Sequence, residues 1–208
     1  MKTLNDYFEK IYCINLDKRP DRWELVQKEF DKHEINVTRY SAVDGQTLTM
    51  PIPPFETMGQ LGCLLSQLDV ITKAKHDNLS SVLIMEDDVV FCDNFNEQLK
   101  LKMESLPVDW NMLFFGANHI IPPIKINEHI GRLQRAYSAH CYAINSNVYD
   151  LILKGLERLK EPLDVTYANI QPFINAYVVN PHLVWQRPGY SDICENDVDY
   201  THVHRVGF

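Results

Sequence analysis

The 208-residue sequence contains no Gly-x-Gly-x-x-Gly and no Gly-Lys-Ser/Thr phosphate loop, which removes the commonest dinucleotide-binding and NTPase readings. Ser66, Ser138 and Ser191 all lack a nucleophile-elbow context, so an α/β-hydrolase is unsupported. No internal repeat and no low-complexity tract is visible. No apolar segment is long enough to span a bilayer, and Met1 to Tyr7 has no apolar signal core. A soluble, cytoplasmic protein without a transmembrane segment is the expectation. The five cysteines (Cys13, Cys63, Cys92, Cys141 and Cys194) are scattered, odd in number and never closely paired, which predicts reduced, buried thiols in a reducing compartment. Positive charge is also short: 20 Lys and Arg against 28 Asp and Glu leave a net charge of −8. That argues against nucleic acid as a partner. A nucleotide can still bind if a divalent cation and a few arginines supply local positive charge.

What is present is an ordinary globular composition, 45% hydrophobic and 23% charged, in a length suited to one domain spanning residues 1–208. The chain is organised around Ser80 to Phe91. Four apolar residues, Val82 to Met85, run into Glu86-Asp87-Asp88, and Val89-Val90-Phe91 follow at once. A continuous apolar run of this kind reads as a buried strand. In open α/β sheets ligands collect where strands end, so the acids stand where chemistry is expected. Three adjacent carboxylates repel one another and need a cation or hydrogen-bond donors to be buried. Their hard oxygens point to Mg²⁺ or Mn²⁺ rather than zinc. The plainer alternative is a set of solvated turn or helix-cap acids, but here they are pinned between two hydrophobic segments.

Around this stretch the pattern alternates strands and helices. A strand over Ile11 to Leu16 breaks into Asp17-Lys18-Arg19-Pro20-Asp21-Arg22. Pro20 suits a first helical position, for a helix running to about His33. Strand, polar turn and helix start make an anion pocket with Arg19 and Arg22; alternatively those arginines pair on the surface with Asp17, Asp21 and Glu24. Val37 to Val43 reads as a strand ending at the turn pair Asp44-Gly45, where Asp44 either binds a ribose or base or is a plain turn residue. A Pro-containing loop follows from Met50 to Phe55. A long helix is expected from Gly59 to about Asn78, with Gly59 and Gly62 in its first turn permitting close approach of backbone or ligand. Further on come a helix from Asn94 to Leu106, a strand from Trp110 to Gly116, and a strand from Arg135 to Ile144. A helix from Ser146 to Lys160 capped by Asn145 and a strand from Phe173 to Val179 complete the pattern, with an irregular polar tail from Arg187.

Several blocks in order resemble glycosyltransferase family 25, which contains bacterial lipooligosaccharide galactosyltransferases and collagen galactosyltransferase domains. Ile14-Asn15-Leu16 with Arg19 and Arg22 is similar to its opening Asn-Leu-x-x-Arg-x-x-Arg. Gly59-x-x-Gly62-Cys63-x-x-Ser66 and Leu83 to Asp88 are similar to its glycine-cysteine block and its metal motif. Tyr142-Ala143-Ile144, Pro162-Leu163-Asp164 and Ser191-Asp192-Ile193 follow in the same sequence. One departure is clear: Gln67 stands where the family usually has His.

The resemblance implies a GT-A type nucleotide-diphospho-sugar fold, an α/β architecture with a mostly parallel sheet flanked by helices. It also implies a UDP-sugar donor, a glycan or protein acceptor, Mn²⁺ or Mg²⁺, and inversion at the anomeric carbon. Under it Asp88 coordinates the metal directly, Glu86 is a second or water-mediated ligand, and His202, His204 or Asp192 completes the site. Donor-binding residues are then Asn15, Arg19, Arg22, Asp44, Ser66 and Asp87. Asp164 is the candidate base, its alternative role being a helix N-cap. A nucleotidyltransferase would share the sheet and the acid-bound Mg²⁺, but it usually carries a Gly-rich basic loop where this chain has Asp17 to Arg22. A non-catalytic binder of sugar nucleotides stays open beside these.

Overall fold

The computed structural model describes residues 2–49 and 55–201. Along them run β1 (Lys10–Asn15), α1 (Pro20–Lys32), β2 (Thr38–Ser41), α2 (Met58–His76), β3 (Ser81–Glu86) and β4 (Val89–Phe91). Next come α3 (Phe95–Ser105), β5 (Met112–Phe114), β6 (Asn118–Ile121), β7 (Ile124–Lys125), β8 (Ile130–Arg132), β9 (Arg135–Tyr137) and β10 (Cys141–Asn145). The chain continues through α4 (Tyr149–Leu156), α5 (Leu163–Ile170), β11 (Ala176–Val179), β12 (Val184–Gln186), β13 (Gly189–Ser191) and β14 (Asn196–Val198).

Eight strands form the main sheet in the order β2-β1-β3-β10-β5-β11-β8-β7. β10 and β8 run against their neighbours, and the other six strands share one direction, as the expected mostly parallel architecture requires. Such a sheet must be covered on both faces. Side chains alternate along β3, so Val82 and Ile84 enter one core with Leu64 of α2, Ile152 of α4 and Tyr167 of α5. Leu83 and Met85 enter the opposite core with Phe30 of α1 and Phe95 and Leu99 of α3. The order β2-β1-β3 means that the chain leaves β1 toward one side and returns, through α2, to the other. The connections that leave the carboxyl ends of β1 and β3 therefore part around a crevice, the usual ligand position in such sheets.

Several expected elements are cut differently. The run from Ser80 to Phe91 is two strands: β3 stays in the main sheet, whereas β4 leaves it and pairs antiparallel with β12. The acids force this, since a charged triplet cannot continue through the sheet interior. The expected strand from Arg135 to Ile144 breaks at Ser138, whose φ of 75° is left-handed. β9 then pairs with β6 outside the main sheet, and only β10 enters it. The strands expected over Val37–Val43, Trp110–Gly116 and Phe173–Val179 shrink to β2, β5 and β11. Asn145 caps a 3-10 turn over Ser146–Val148 through the Asn147 N–H, and α4 starts only at Tyr149. In the described part of the tail from Arg187, β13 and β14 pair as a hairpin where an irregular segment was expected. Of the Met50 to Phe55 loop, residues 50–54 lie outside the described residues, as do His202 and His204.

Candidate active site

Ile14 of β1 lies beside Glu86 of β3, so the residues that leave the two strands meet. Asn15 is buried at that junction. Its Oδ1 accepts from Arg39 Nε at 2.8 Å, which turns its Nδ2 to donate to Asp87 Oδ2 at 2.6 Å and to the Arg19 carbonyl at 3.1 Å. From the first turn of α1, Arg22 reaches Asp87 Oδ1 at 2.5 Å and Asp88 Oδ2 at 3.1 Å. Burial disfavours the Arg22 charge, but Asp88, Asp87 and Glu86 outweigh it and hold the guanidinium above its usual pKa. This is how three consecutive acids can be pinned between apolar runs.

Arg19 is committed elsewhere. It grips Asp21, with Nε to Oδ1 at 3.0 Å, and forms a close ion pair with Asp192. The surface-pair alternative for Arg19 thus holds for Asp21, while Arg22 faces inward.

A cavity of about 650 Å³ opens beside the triplet, within the range of small-molecule sites. Glu86, Asp87, Asp88, Arg22 and Asp164 line it. α2 supplies a wall through Gly59, Cys63, Ser66 and Gln67. Thr57 caps this helix, its Oγ1 accepting from the Gln60 N–H at 3.1 Å and donating to the Ile193 carbonyl at 2.5 Å. Both early glycines permit close backbone approach. A Cβ on Gly59 would stand 2.2 Å from the Asp192 carbonyl oxygen, and one on Gly62 would stand 2.7 Å from Gly45 N. The hairpin of β13 and β14 is thereby held against the cavity, and Gln46 Nε2 donates to Glu195 Oε1 at 2.8 Å to tie its far end. Ser66 lines the cavity, but its hydroxyl is engaged within the protein, donating to the Gly62 carbonyl at 2.7 Å and accepting from Val43 N–H at 2.8 Å. Asp44 lies at the rim, bound by Lys18 Nζ at 2.9 Å and by the Gln46 N–H at 3.1 Å.

Glu86 has no cation of its own. Burial and then the Asp88 carboxylate push its pKa up to about 8, against the pull of Arg22. Gln186 Nε2 lies between the two acids, 3.5 Å from Glu86 Oε2 and 3.4 Å from Asp88 Oδ2. Asp88 Oδ1 is buried with no hydrogen-bond partner. Asp164, at the second position of α5, accepts from the Val165 N–H at 2.9 Å. The helix N-cap is Pro162, so Asp164 is not the cap. Burial raises the Asp164 pKa, and backbone N–H groups of Val165, Asp164 and Ser138 partly offset it.

Among the described residues no group of three or more His, Cys, Asp or Glu side chains is arranged to hold a metal ion. Mg²⁺-type ions, however, are commonly held by one or two carboxylates plus substrate phosphates and water. Glu86 and Asp88, with an orphaned buried oxygen on one and a pKa pushed up on the other, suit that role. Asp192 does not stand ready as a third ligand, because it is paired with Arg19.

Sequence reasoning missed Gln186, which comes from β12 on the far side of the chain, and the Gln67-Tyr142-Tyr167 cluster beneath the cavity. Neither has a local pattern. Among the described residues no helix is long and apolar enough to cross a membrane.

A family model described as glycosyltransferase family 25 (LPS biosynthesis protein) matches residues 8–149. Procollagen galactosyltransferase 2 of Mus musculus is 30% identical over 133 residues, covering 54% of this chain and 21% of its own length. The procollagen lysyl hydroxylase and glycosyltransferase of Acanthamoeba polyphaga mimivirus is 29% identical over 163 residues, 65% of this chain and 18% of its own. Inactive glycosyltransferase 25 family member 3 of Mus musculus is 28% identical over 135 residues, 55% of this chain and 23% of its own. The chain thus spans less than a quarter of the length of these curated relatives. In fold it is similar to a glycosyltransferase involved in the glycosylation of the major capsid of PBCV-1, with a TM-score of 0.54 at 13% identity over 89% of this chain and 95% of that one. This likeness speaks to the fold alone.

Proposed function

The chain belongs to glycosyltransferase family 25, and from that premise we propose that it transfers a hexose, galactose or glucose, from a UDP-sugar to a hydroxyl of a glycan or protein acceptor, with inversion and with Mn²⁺ or Mg²⁺. One observation carries the reading: at the carboxyl ends of β1 and β3, the Glu86-Asp87-Asp88 triplet faces a cavity that also holds the half-buried Asp164.

Glu86 and Asp88 would hold the cation, which when bound neutralises charge on the departing diphosphate. Asp87, fixed by Arg22 and Asn15, offers its remaining lone pairs to the ribose. Arg22 stabilises the acids without titrating, so the triplet keeps its shape whether or not a donor is bound. Lys18 and Asp44, which also line the cavity, would take the nucleoside. Asp164 takes the acceptor hydroxyl proton; its raised pKa brings it nearer the working pH of a general base.

A second reading, a binder of sugar nucleotide that transfers nothing, is favoured by one specific finding: a relative 28% identical to this chain is named inactive. UDP release from a panel of UDP-sugars, with and without Mn²⁺, separates the two. The transferase reading expects release from one preferred donor, dependent on the cation and raised by acceptor. UDP binding without release would leave the non-catalytic reading, and release of pyrophosphate would mark a nucleotidyltransferase.

A further inference from the structure

Gln67 is almost fully buried, at 1% exposure, yet it lines the cavity. Its Oε1 accepts from the Tyr142 hydroxyl at 2.6 Å, and the Tyr142 hydroxyl stands 2.9 Å from that of Tyr167. Both tyrosines are packed in the apolar core, Tyr142 stacked on Phe114 at 5.5 Å between ring centroids. A tyrosine hydroxyl has a single proton. Tyr142 gives its proton to Gln67, so the hydrogen bond between the tyrosines must run from Tyr167 to Tyr142. In this relay the amide oxygen faces the tyrosines and the NH₂ group faces away from them. Burial raises the pKa of both phenols, which keeps the relay protonated near neutral pH.

Among the described residues the amide nitrogen has no hydrogen-bond partner, and it is not one of the buried unpartnered side-chain atoms, so it opens on the cavity that Gln67 lines. The two helices that anchor the relay also carry groups of the reacting centre. One turn before Gln67 on α2, Cys63 Sγ lies 3.9 Å from Glu86 Oε1. Three residues before Tyr167 on α5 is Asp164. Gln67 therefore shares its stretch of cavity wall with groups that flank Glu86 and Asp164, where the sugar would lie.

We propose that Gln67 Nε2 donates a hydrogen bond to a hydroxyl oxygen of the transferred hexose and so helps determine donor specificity. Tyr142 and Tyr167 are positioning residues that set the direction of the amide. This rests on the reading that the cavity takes a sugar nucleotide.

The test is calorimetric titration of UDP, UDP-galactose and UDP-glucose into the wild type, Gln67→Leu and Tyr142→Phe, all with Mn²⁺, alongside melting temperatures. Gln67→Leu should weaken the better-bound intact donor about tenfold to a hundredfold, leave UDP unchanged, and shrink the preference between the two epimers. Tyr142→Phe should give a smaller loss of the same kind, because the amide is then free to turn. Equal weakening of UDP and intact donors overturns the proposal, and so does a lowered melting temperature with an unchanged ratio of donor to UDP affinity; either leaves the donor-binding reading standing. A wild type that binds UDP and both donors equally well also overturns it. A wild type that binds none of the three overturns both readings.

Discussion

A carboxylate serves as a base near neutral pH when burial raises its pKa and at least one oxygen stays free to take a proton. Asp164 has the raised pKa: burial lifts it against backbone N–H groups that include Val165, and the N-cap position itself belongs to Pro162. Asp164→Asn keeps the size and the Val165 bond, so it should leave UDP affinity near normal while cutting transfer about 10²–10⁴-fold, read from turnover and titration on one preparation. Near-normal turnover would make Asp164 an ordinary helix-start residue and direct attention to Asp192. At this scale the site was partly legible. Three acids between apolar runs demand a counter-charge, but the sequence pointed to a divalent cation and read Arg22 as an anion-pocket or surface residue, whereas it is Arg22 that pairs with Asp87 and Asp88. The partners of Arg19 were not legible in full, since Asp192 reaches it across 173 residues of chain. Gln186, about 100 residues from Glu86, left no trace in local pattern.

Helices and central strands followed from periodicity because their stabilising contacts are local or repeat along one face. α2 was expected over Gly59 to about Asn78 and runs from Met58 to His76. The short strands β4, β13 and β14 escaped because pairing, rather than composition, defines them. Of these the hairpin of β13 and β14 matters most, since it walls the cavity and packs its backbone on the first turn of α2. Gly59→Ala tests that contact. In an unconstrained helix the exchange would stabilise by about 1 kcal/mol. Here the added methyl would stand 2.2 Å from the Asp192 carbonyl, which is backbone and cannot swing aside, so the hairpin must lift. The expected result is faster proteolysis within residues 187–200 and a raised donor KM, with the far-UV spectrum of the helices intact. Unchanged proteolysis and KM would mean that the hairpin is not needed to close the site.

For the whole molecule, the partly buried triplet makes stability depend on pH in an unusual direction. In the unfolded chain Glu86 titrates near 4.5, and in the fold its pKa is pushed up to about 8. Between these values the folded protein holds a proton that the unfolded chain has released. The contribution of this group is therefore fully present below the unfolded value and is lost as pH rises through about 8. Burial of Asp164 acts in the same direction. Asp17 and Asp44, held low by Ser41 with Arg39 and by Lys18, act in the opposite sense, but their contribution is lost only as pH falls through their depressed values. Burial lowers the pKa of His33, His119 and His140, which also act in the opposite sense to Glu86, and within this range. The Glu86 contribution is therefore a relative slope: measured against Glu86→Gln, the melting temperature of the protein alone should fall as pH rises from about 5 to 8. Glu86→Gln, which cannot ionise, lacks that slope. Mn²⁺ with UDP should flatten it in the wild type too, because ligation requires the ionised carboxylate and offsets the cost of losing the proton. Wild-type and Glu86→Gln melting temperatures that run parallel across this range would mean that Glu86 is already ionised in the fold, with Arg22 balancing the triplet unaided; Mn²⁺ would then have no buried proton to displace.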